Sequence, residues 1–200
     1  MLERNELMSS RMSGSEEALG TLTCQRLANR ESPRLLIGGY GMGFTLRAIL
    51  AVTGKRAQIV VAELVPGILE WARGPMQAMT GNCLDDPRVE IVIDDVAAVM
   101  AKGGYDAIML DVDNGPDGVT RPANDGLYTV AGLSKARAAA VRSPKSGTLK
   151  AIHLFPRGGT IACRRHLPAA GTIVILILLA AGEKTAGQAL RVFFSVRRTF

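Results

Sequence analysis

Between Arg34 and Leu110 one pattern repeats along the chain. Short apolar runs, Arg34-Leu-Leu-Ile37, Gln58-Ile-Val-Val-Ala62, Val89-Glu-Ile-Val-Ile93 and Tyr105-Asp-Ala-Ile-Met-Leu110, alternate with the segments Thr45 to Val52, Pro66 to Met79 and Val96 to Ala101, whose apolar residues recur at helical spacing. A strand that is apolar on nearly every residue has no face to give to water, so helices must cover it on both sides. The pattern therefore predicts an α/β fold with a doubly wound, mostly parallel sheet.

Outside this stretch the pattern is sparser. A helix is predicted from about Ser15 to Ala28, with Leu19, Leu22, Cys24 and Leu27 on its apolar stripe, and the spacing of Ser13 and Glu16 predicts a capping box at its start. Asn29 to Pro33 ends it. Another helix is expected from about Val130 to Val141. Beyond that point Gly, Arg, Lys and His are scattered without clear period. The apolar run Thr172 to Ala181 is about half the ~20 residues of a membrane-spanning helix and reads as a buried strand. The expected division is an N-terminal segment and helix (1–33), a nucleotide-binding domain (34–141) and a divergent C-terminal segment (142–200) that completes the sheet or is partly irregular.

Composition narrows the function classes. With 200 residues and 48% hydrophobic content the chain can bury the core of one ordinary domain. Its net charge of +6 is segmental: Glu63 to Asp125 is rich in acids, and the basic excess follows Lys135. That distribution does not form the basic, aromatic-interleaved stripe of a nucleic-acid interface. Cys24, Cys83 and Cys163 are odd in number and widely spaced, which points to buried or incidental thiols rather than to a disulfide framework or a zinc site. Met1 to Glu17 is polar and mixed in charge, unlike a secretory leader, so a cytoplasmic location is expected. His153 and His166 lack partner acids at ligand spacing, and no metal site is expected; Trp71, Met76 and Met79 read as helix-packing residues.

The residues that could carry chemistry fall at strand ends. Ile37-Gly38-Gly39-Tyr40-Gly41-Met42-Gly43-Phe44 follows the first strand and precedes a helix. Glycines there permit positive φ and close approach of a ligand to the backbone, although an ordinary strand-to-helix turn is the plain alternative. Glu63 ends the second strand, twenty residues beyond Gly43, where a carboxylate can accept both hydroxyls of a ribose, or can stand simply as an exposed acid. Asp94 and Asp95 end the third strand, and Asp111-Val112-Asp113-Asn114 ends the fourth. Ligands of open α/β sheets bind outside the carboxyl ends of the strands. A glycine turn with acids at three further strand ends describes one crevice.

In order and spacing, Arg34-Leu-Leu-Ile-Gly-Gly-Tyr-Gly-Met-Gly-Phe-Thr-Leu-Arg47, Val61-Ala-Glu63, Asp86-Pro-Arg-Val-Glu-Ile-Val-Ile-Asp-Asp95, Tyr105-Asp-Ala-Ile-Met-Leu-Asp111 and Leu127-Tyr128 resemble the spermidine synthase family. The resemblance runs from about Asn5 to Val141 and implies the Rossmann-like fold of the class I S-adenosylmethionine-dependent methyltransferases. It implies that Gly38, Gly39, Gly41 and Gly43 shape the pocket for the methionine part of S-adenosylmethionine or its decarboxylated form. Glu63 would then hold the ribose, and Asp94 and Asp95 would lie at the adenine, with Asp95 on its amino group. Asp111 would be the catalytic carboxylate that orients and deprotonates an attacking amine, with Asp113, Asn114 and Tyr128 on the side of a small-molecule acceptor such as a polyamine. Homo-oligomers are common in that family. The chain departs from the family at Gly41, where the synthases carry an aspartate that contacts the donor's amine, and at Asn114, where they carry a second acceptor-binding aspartate. A small-molecule methyltransferase, or a non-catalytic remnant, is compatible with the same residues.

Overall fold

The computed structural model describes residues 13–112, 124–128, 130–139, 150–154 and 174–178. Among these residues six parallel strands form one sheet: β1 (Arg34–Gly38), β2 (Gln58–Glu63), β3 (Val89–Ile93), β4 (Ala107–Leu110), β5 (Lys150–Leu154) and β6 (Val174–Leu178), in the order β3-β2-β1-β4-β6-β5. The helices are α1 (Gly14–Arg26), α2 (Phe44–Val52), α3 (Pro66–Arg73), α4 (Gln77–Thr80), α5 (Val96–Ala101), α6 (Asp125–Tyr128) and α7 (Val130–Ala139), with a 3-10 turn at Cys83–Asp85. This is the α/β architecture with a parallel sheet expected from the apolar runs, and the Rossmann-like fold that the family resemblance implies. The chain winds outward from β1 to β3 and then crosses back to lay β4 on the other side of β1. That reversal opens a crevice at the carboxyl ends of β1 and β4.

Both faces of the sheet are apolar because successive strand residues point to opposite sides. On one face Leu35, Ile37, Ile59, Val61 and Met109 pack with Leu19, Leu46, Ile49 and Leu69. On the other, Leu36, Val60, Ile108 and Leu110 pack with Val96, Val99, Met100 and Ala136. Helix α1 lies against α2, where a Cβ on Gly20 would stand 2.8 Å from the Thr45 carbonyl oxygen and 3.0 Å from the Ala48 Cβ.

Several local expectations are corrected. The capping box at Ser13 does not form: Ser13 is itself in the right-handed helical region and makes no side-chain cap, while its carbonyl accepts from the Glu17 amide at 2.9 Å. A residue that is already helical does not present its side chain across the first open amides. The single helix predicted over Pro66 to Met79 is two, α3 and α4, parted at Gly74-Pro75-Met76. Pro75 has no amide to donate, and it drives Gly74 out of the helical region, to φ −112 and ψ −109. Trp71 does not pack into the core but is 56% exposed on α3, whereas Met76 packs against it.

The fourth strand is shorter than the run that predicted it, because its start serves as a lock at the amino edge of the sheet. Asp106 N–H donates to the Arg34 carbonyl at 2.7 Å, Arg34 N–H donates to Asp106 Oδ2 at 2.9 Å, and the Arg34 guanidinium sits 4.7 Å from the centre of the Tyr105 ring. Arg30 adds an ion pair to Asp106 at 3.6 Å. The C-terminal run predicted as a buried strand contains β6, which lies between β4 and β5. Among the described residues no helix is long and apolar enough to cross a membrane.

Candidate functional site

The turn after β1 is built so that backbone rather than side chain faces the crevice. Gly39, Gly41 and Gly43 have φ of 85, 56 and 76, a region that side-chain-bearing residues avoid. At Gly39 a Cβ would overlap the carbonyl oxygen of Asp111, so only glycine lets β1 and β4 close on each other there. Gly38 has an ordinary φ, and its constraint is packing: a Cβ would meet Val96 Cγ2 at 2.6 Å. Gly43 then caps α2, whose first turn brings Thr45 to the crevice.

Glu63 closes the turn from the neighbouring strand. Its Oε2 accepts from the Tyr40 amide and its Oε1 from the Val65 amide, both at 2.8 Å, with the residue 5% exposed. The sequence presented Glu63 as a ribose ligand or an exposed acid; in the fold it is a buried clamp that ties the glycine turn to the end of β2. Each carboxylate oxygen has a second acceptor site, so these two hydrogen bonds orient the group without saturating it. Tyr40 is buried behind the turn, its hydroxyl 3.4 Å from Cys83 Sγ, and burial together with that contact pushes the phenol above its ordinary range.

The two acids after β3 divide their work. Asp95 caps α5, its Oδ1 accepting from the Ala97 amide at 2.8 Å, while Asp94 is exposed and its Oδ1 accepts from the Asp95 amide at 2.8 Å. The Asp94 amide in turn donates to the Glu63 carbonyl at 3.2 Å. Leu64, 43% exposed, and Ile93, 58% exposed, stand at the ends of β2 and β3 beside these acids, an apolar surface that the sequence reading did not single out.

Asp111 follows β4 and is held to β1, its amide donating to the Gly38 carbonyl at 2.8 Å. Its Oδ2 accepts from the Thr45 hydroxyl at 3.0 Å. Burial raises the carboxyl from 3.8 to about 6, against the lowering effect of the Thr45 hydrogen bond. Two residues of this neighbourhood had no sequence signal that marked them as functional. Thr45 looked like one more helix residue, and Glu16 looked like a capping acid; burial, then the charges of Asp111 and Glu17, raise the Glu16 carboxyl from 4.5 to about 8.

The fold thus brings Gly38, Gly39, Gly41, Gly43, Glu63 and Asp111 to adjoining strand ends, with Asp94 and Asp95 one strand further out. Asp113 and Asn114 lie outside the described residues, as do Cys163 and His166; Tyr128 ends α6, and its side chain, like that of His153 in β5, is outside them too. Among the described residues no group of three or more His, Cys, Asp or Glu is placed to hold a metal ion. A groove of about 900 Å³ opens between α1, α2 and the 3-10 turn, with Glu17, Arg47 and Asp86 on its walls; none of Gly38, Gly39, Gly41, Gly43, Glu63 or Asp111 lines it.

No family model matches the chain. Over 83 residues it is 37% identical to the polyamine aminopropyltransferase of Mycobacterium tuberculosis (strain CDC 1551 / Oshkosh), a match that covers 39% of this chain and 16% of that protein. Over 111 residues it is 32% identical to the polyamine aminopropyltransferase of Corynebacterium efficiens, covering 52% of this chain and 21% of that one. The chain therefore spans only a minor part of the curated relatives it matches. Among solved structures, the spermidine synthase from Thermotoga maritima superposes with a TM-score of 0.52 at 24% identity, over 68% of this chain and 44% of that one. A spermidine synthase bound to the transition-state analogue AdoDATO gives the same TM-score at 22% identity, over 68% and 43%. The chain is spermidine-synthase-like: in sequence over the matched segments, and in fold over the parallel sheet and its helices.

Proposed function

We propose that the crevice binds an S-adenosylmethionine-type nucleoside, as S-adenosylmethionine or its decarboxylated form, and that the protein transfers a group from it to a small-molecule amine, with a polyamine the first candidate. The observation that carries this reading is the convergence of a turn with positive φ at Gly39, Gly41 and Gly43, a fixed Glu63 and a weakly acidic Asp111 at the carboxyl ends of adjoining parallel strands. Each has a task. The turn lets the methionine part approach the backbone. Glu63 offers its remaining acceptor sites to the ribose hydroxyls, and Leu64 and Ile93 supply apolar contact for a flat base, with Asp94 and Asp95 at its polar edge.

Asp111 serves as the base. A carboxylate attracts an ammonium and then accepts its proton, and a pKa near 6 leaves it ionised at neutral pH while raising its basicity above that of an ordinary aspartate. The freed amine lone pair forms a bond to the carbon beside the sulfonium. The carbon–sulfur bond breaks, and its electron pair leaves the sulfur as a neutral thioether.

Gly41 favours methyl transfer as a second reading. The synthases that the chain resembles carry an aspartate there for the donor's amine, and a methyltransferase pocket has no need of it. Calorimetry with both nucleosides, followed by product analysis with putrescine, separates the readings. Aminopropyl transfer yields methylthioadenosine and methyl transfer yields S-adenosylhomocysteine. If the folded protein binds neither nucleoside, the transferase reading is wrong and the chain is a non-catalytic member of its kind.

A further inference from the structure

Thr45 stands where three elements of the candidate site meet. It lies in the first turn of α2 and is buried, and α1 passes so near that a Cβ on Gly20 would stand 2.8 Å from its carbonyl oxygen. Its Oγ1 is 3.0 Å from Asp111 Oδ2, just after β4, and 3.2 Å from the backbone carbonyl oxygen of Glu16 in α1. A β-branched side chain in a helix has few open χ1 rotamers, so the stem of Thr45 itself holds the hydroxyl between these two acceptors.

The hydroxyl has one proton to donate. An ionised carboxylate is a stronger acceptor than a neutral carbonyl, so that proton goes to Oδ2 while Asp111 is charged. Among the described residues no other donor reaches the carboxylate, which leaves Oδ1 with both its acceptor sites. Once Asp111 is neutral, Oδ2 loses its advantage and the Glu16 carbonyl competes with it for the same proton. The hydrogen bond therefore favours the carboxylate over the acid.

We propose that Thr45 is a positioning residue for Asp111: it fixes the carboxylate through Oδ2 and leaves Oδ1 as the atom that takes the proton from the attacking amine. This rests on the reading of Asp111 as the reacting base. The proton leaves the amine nitrogen for Oδ1, and the lone pair so freed bonds to carbon as the carbon–sulfur pair departs with the thioether. Thr45 acts through Asp111, by setting which oxygen is open and how strongly the carboxylate holds a proton. Its hydrogen bond lowers a carboxyl that burial drives up to about 6, the sign this role requires.

The charges around the pair are those of four packed elements. Glu16 of α1 is coupled to Asp111 through its charge, and α2 carries Arg47, whose guanidinium donates to the Met79 carbonyl. From β1, Gly38 and Gly39 meet Asp111 without side chains, and the β6 sequence, Val-Ile-Leu-Ile-Leu, has no titratable group. Substitutions at Thr45 keep all of these charges, so a change in the Asp111 titration reports the hydroxyl.

Carboxyl-carbon NMR titration of the full, unliganded chain reads the Asp111 midpoint, with the signal identified by its loss in Asp111→Asn. Thr45→Val removes the hydroxyl and keeps the branched shape, and it is expected to raise the midpoint above about 6; Thr45→Ser is expected to bring it back toward the natural value. Thr45→Ala takes the place of the valine variant if that chain does not fold. In transfer from S-adenosylmethionine or its decarboxylated form to putrescine, Thr45→Val is expected to lower kcat about tenfold, as for one lost hydrogen bond to a charged group, with KM within about twofold. The acid limb of the kcat profile moves to higher pH, and Thr45→Ser restores both. An Asp111 midpoint that is equal in the valine and serine variants, or a kcat lost equally in both, overturns the proposal. If the natural chain transfers nothing from either nucleoside, the transfer reading falls, and the titration by itself decides whether Thr45 fixes Asp111.

Discussion

At the scale of single residues, the glycine turn is a chain of steric decisions rather than a flexible loop. Gly39→Ala places a methyl group on the Asp111 carbonyl oxygen at a φ of 85, so the mutant is expected to lose stability and ligand binding together. The conformational part alone costs about 1–2 kcal/mol. Gly54→Ala, with nothing within 4 Å of the added carbon, is the control that should leave the melting temperature near that of the natural chain. Glu63→Ala leaves the Tyr40 and Val65 amides without their acceptor, an expected cost of about 1–3 kcal/mol in denaturant unfolding. Under conditions where the mutant is folded, nucleoside binding should weaken by a similar amount, roughly 1–3 kcal/mol. An unchanged dissociation constant takes Glu63 out of the pocket. The identity of these residues was legible in the chain, because glycine and carboxylate at strand ends are visible as letters. That Glu63 spends two lone pairs on the backbone was not, since Tyr40 and Glu63 are 23 residues apart and meet only when β1 and β2 pair.

At the scale of elements, joints matter more than lengths. Arg88, at the entry to β3, grips Asp86 at 2.8 Å and donates to the Thr53 carbonyl at the end of α2, also at 2.8 Å. The hydrogen bonds from Arg88 hold the Asp86 carboxyl down at about 2, from an ordinary 3.8. A depressed carboxylate contributes stability that is present above its unfolded pKa and is lost as pH falls through the folded one. Melting temperature in the natural chain should therefore decline from about pH 4 toward pH 2 in part through this joint. Asp86→Asn should melt lower at pH 5 and show a shallower decline; equal slopes for the two chains would show that the joint is not coupled to folding. The helix and strand positions up to α5 were readable from periodicity. The break at Gly74-Pro75 was signalled by the proline itself, but the apolar spacing ran across it and suggested a continuous helix. Periodicity reports which face is buried and is silent on whether the backbone is unbroken. Trp71 shows the same limit, since its place in the pattern suited packing and the end of α3 leaves it exposed.

At the scale of the whole molecule, stability rests on a sheet with a core on each face. Ile59, fully buried in the centre of one core, is expected to cost about 2–5 kcal/mol when changed to alanine, whereas Val52→Ala at an exposed position should stay within about 0.5 kcal/mol. Urea unfolding of the two mutants measures the difference, and comparable losses would mean that the burial assigned to β2 is wrong. The local pattern of the chain was enough to determine a parallel α/β sheet, since a strand without a polar face has to be covered twice, and enough to bring the glycines and acids to strand ends. The tertiary structure alone decided which of these groups meet. It made Asp95 a helix cap and Glu63 a clamp, and it set the Thr45 hydroxyl between the Asp111 carboxylate and the backbone carbonyl of Glu16, a residue that the local spacing assigned to a capping box. The physical reason is that burial and charge coupling depend on distances across the fold, whereas periodicity and turn chemistry act over a few neighbouring residues.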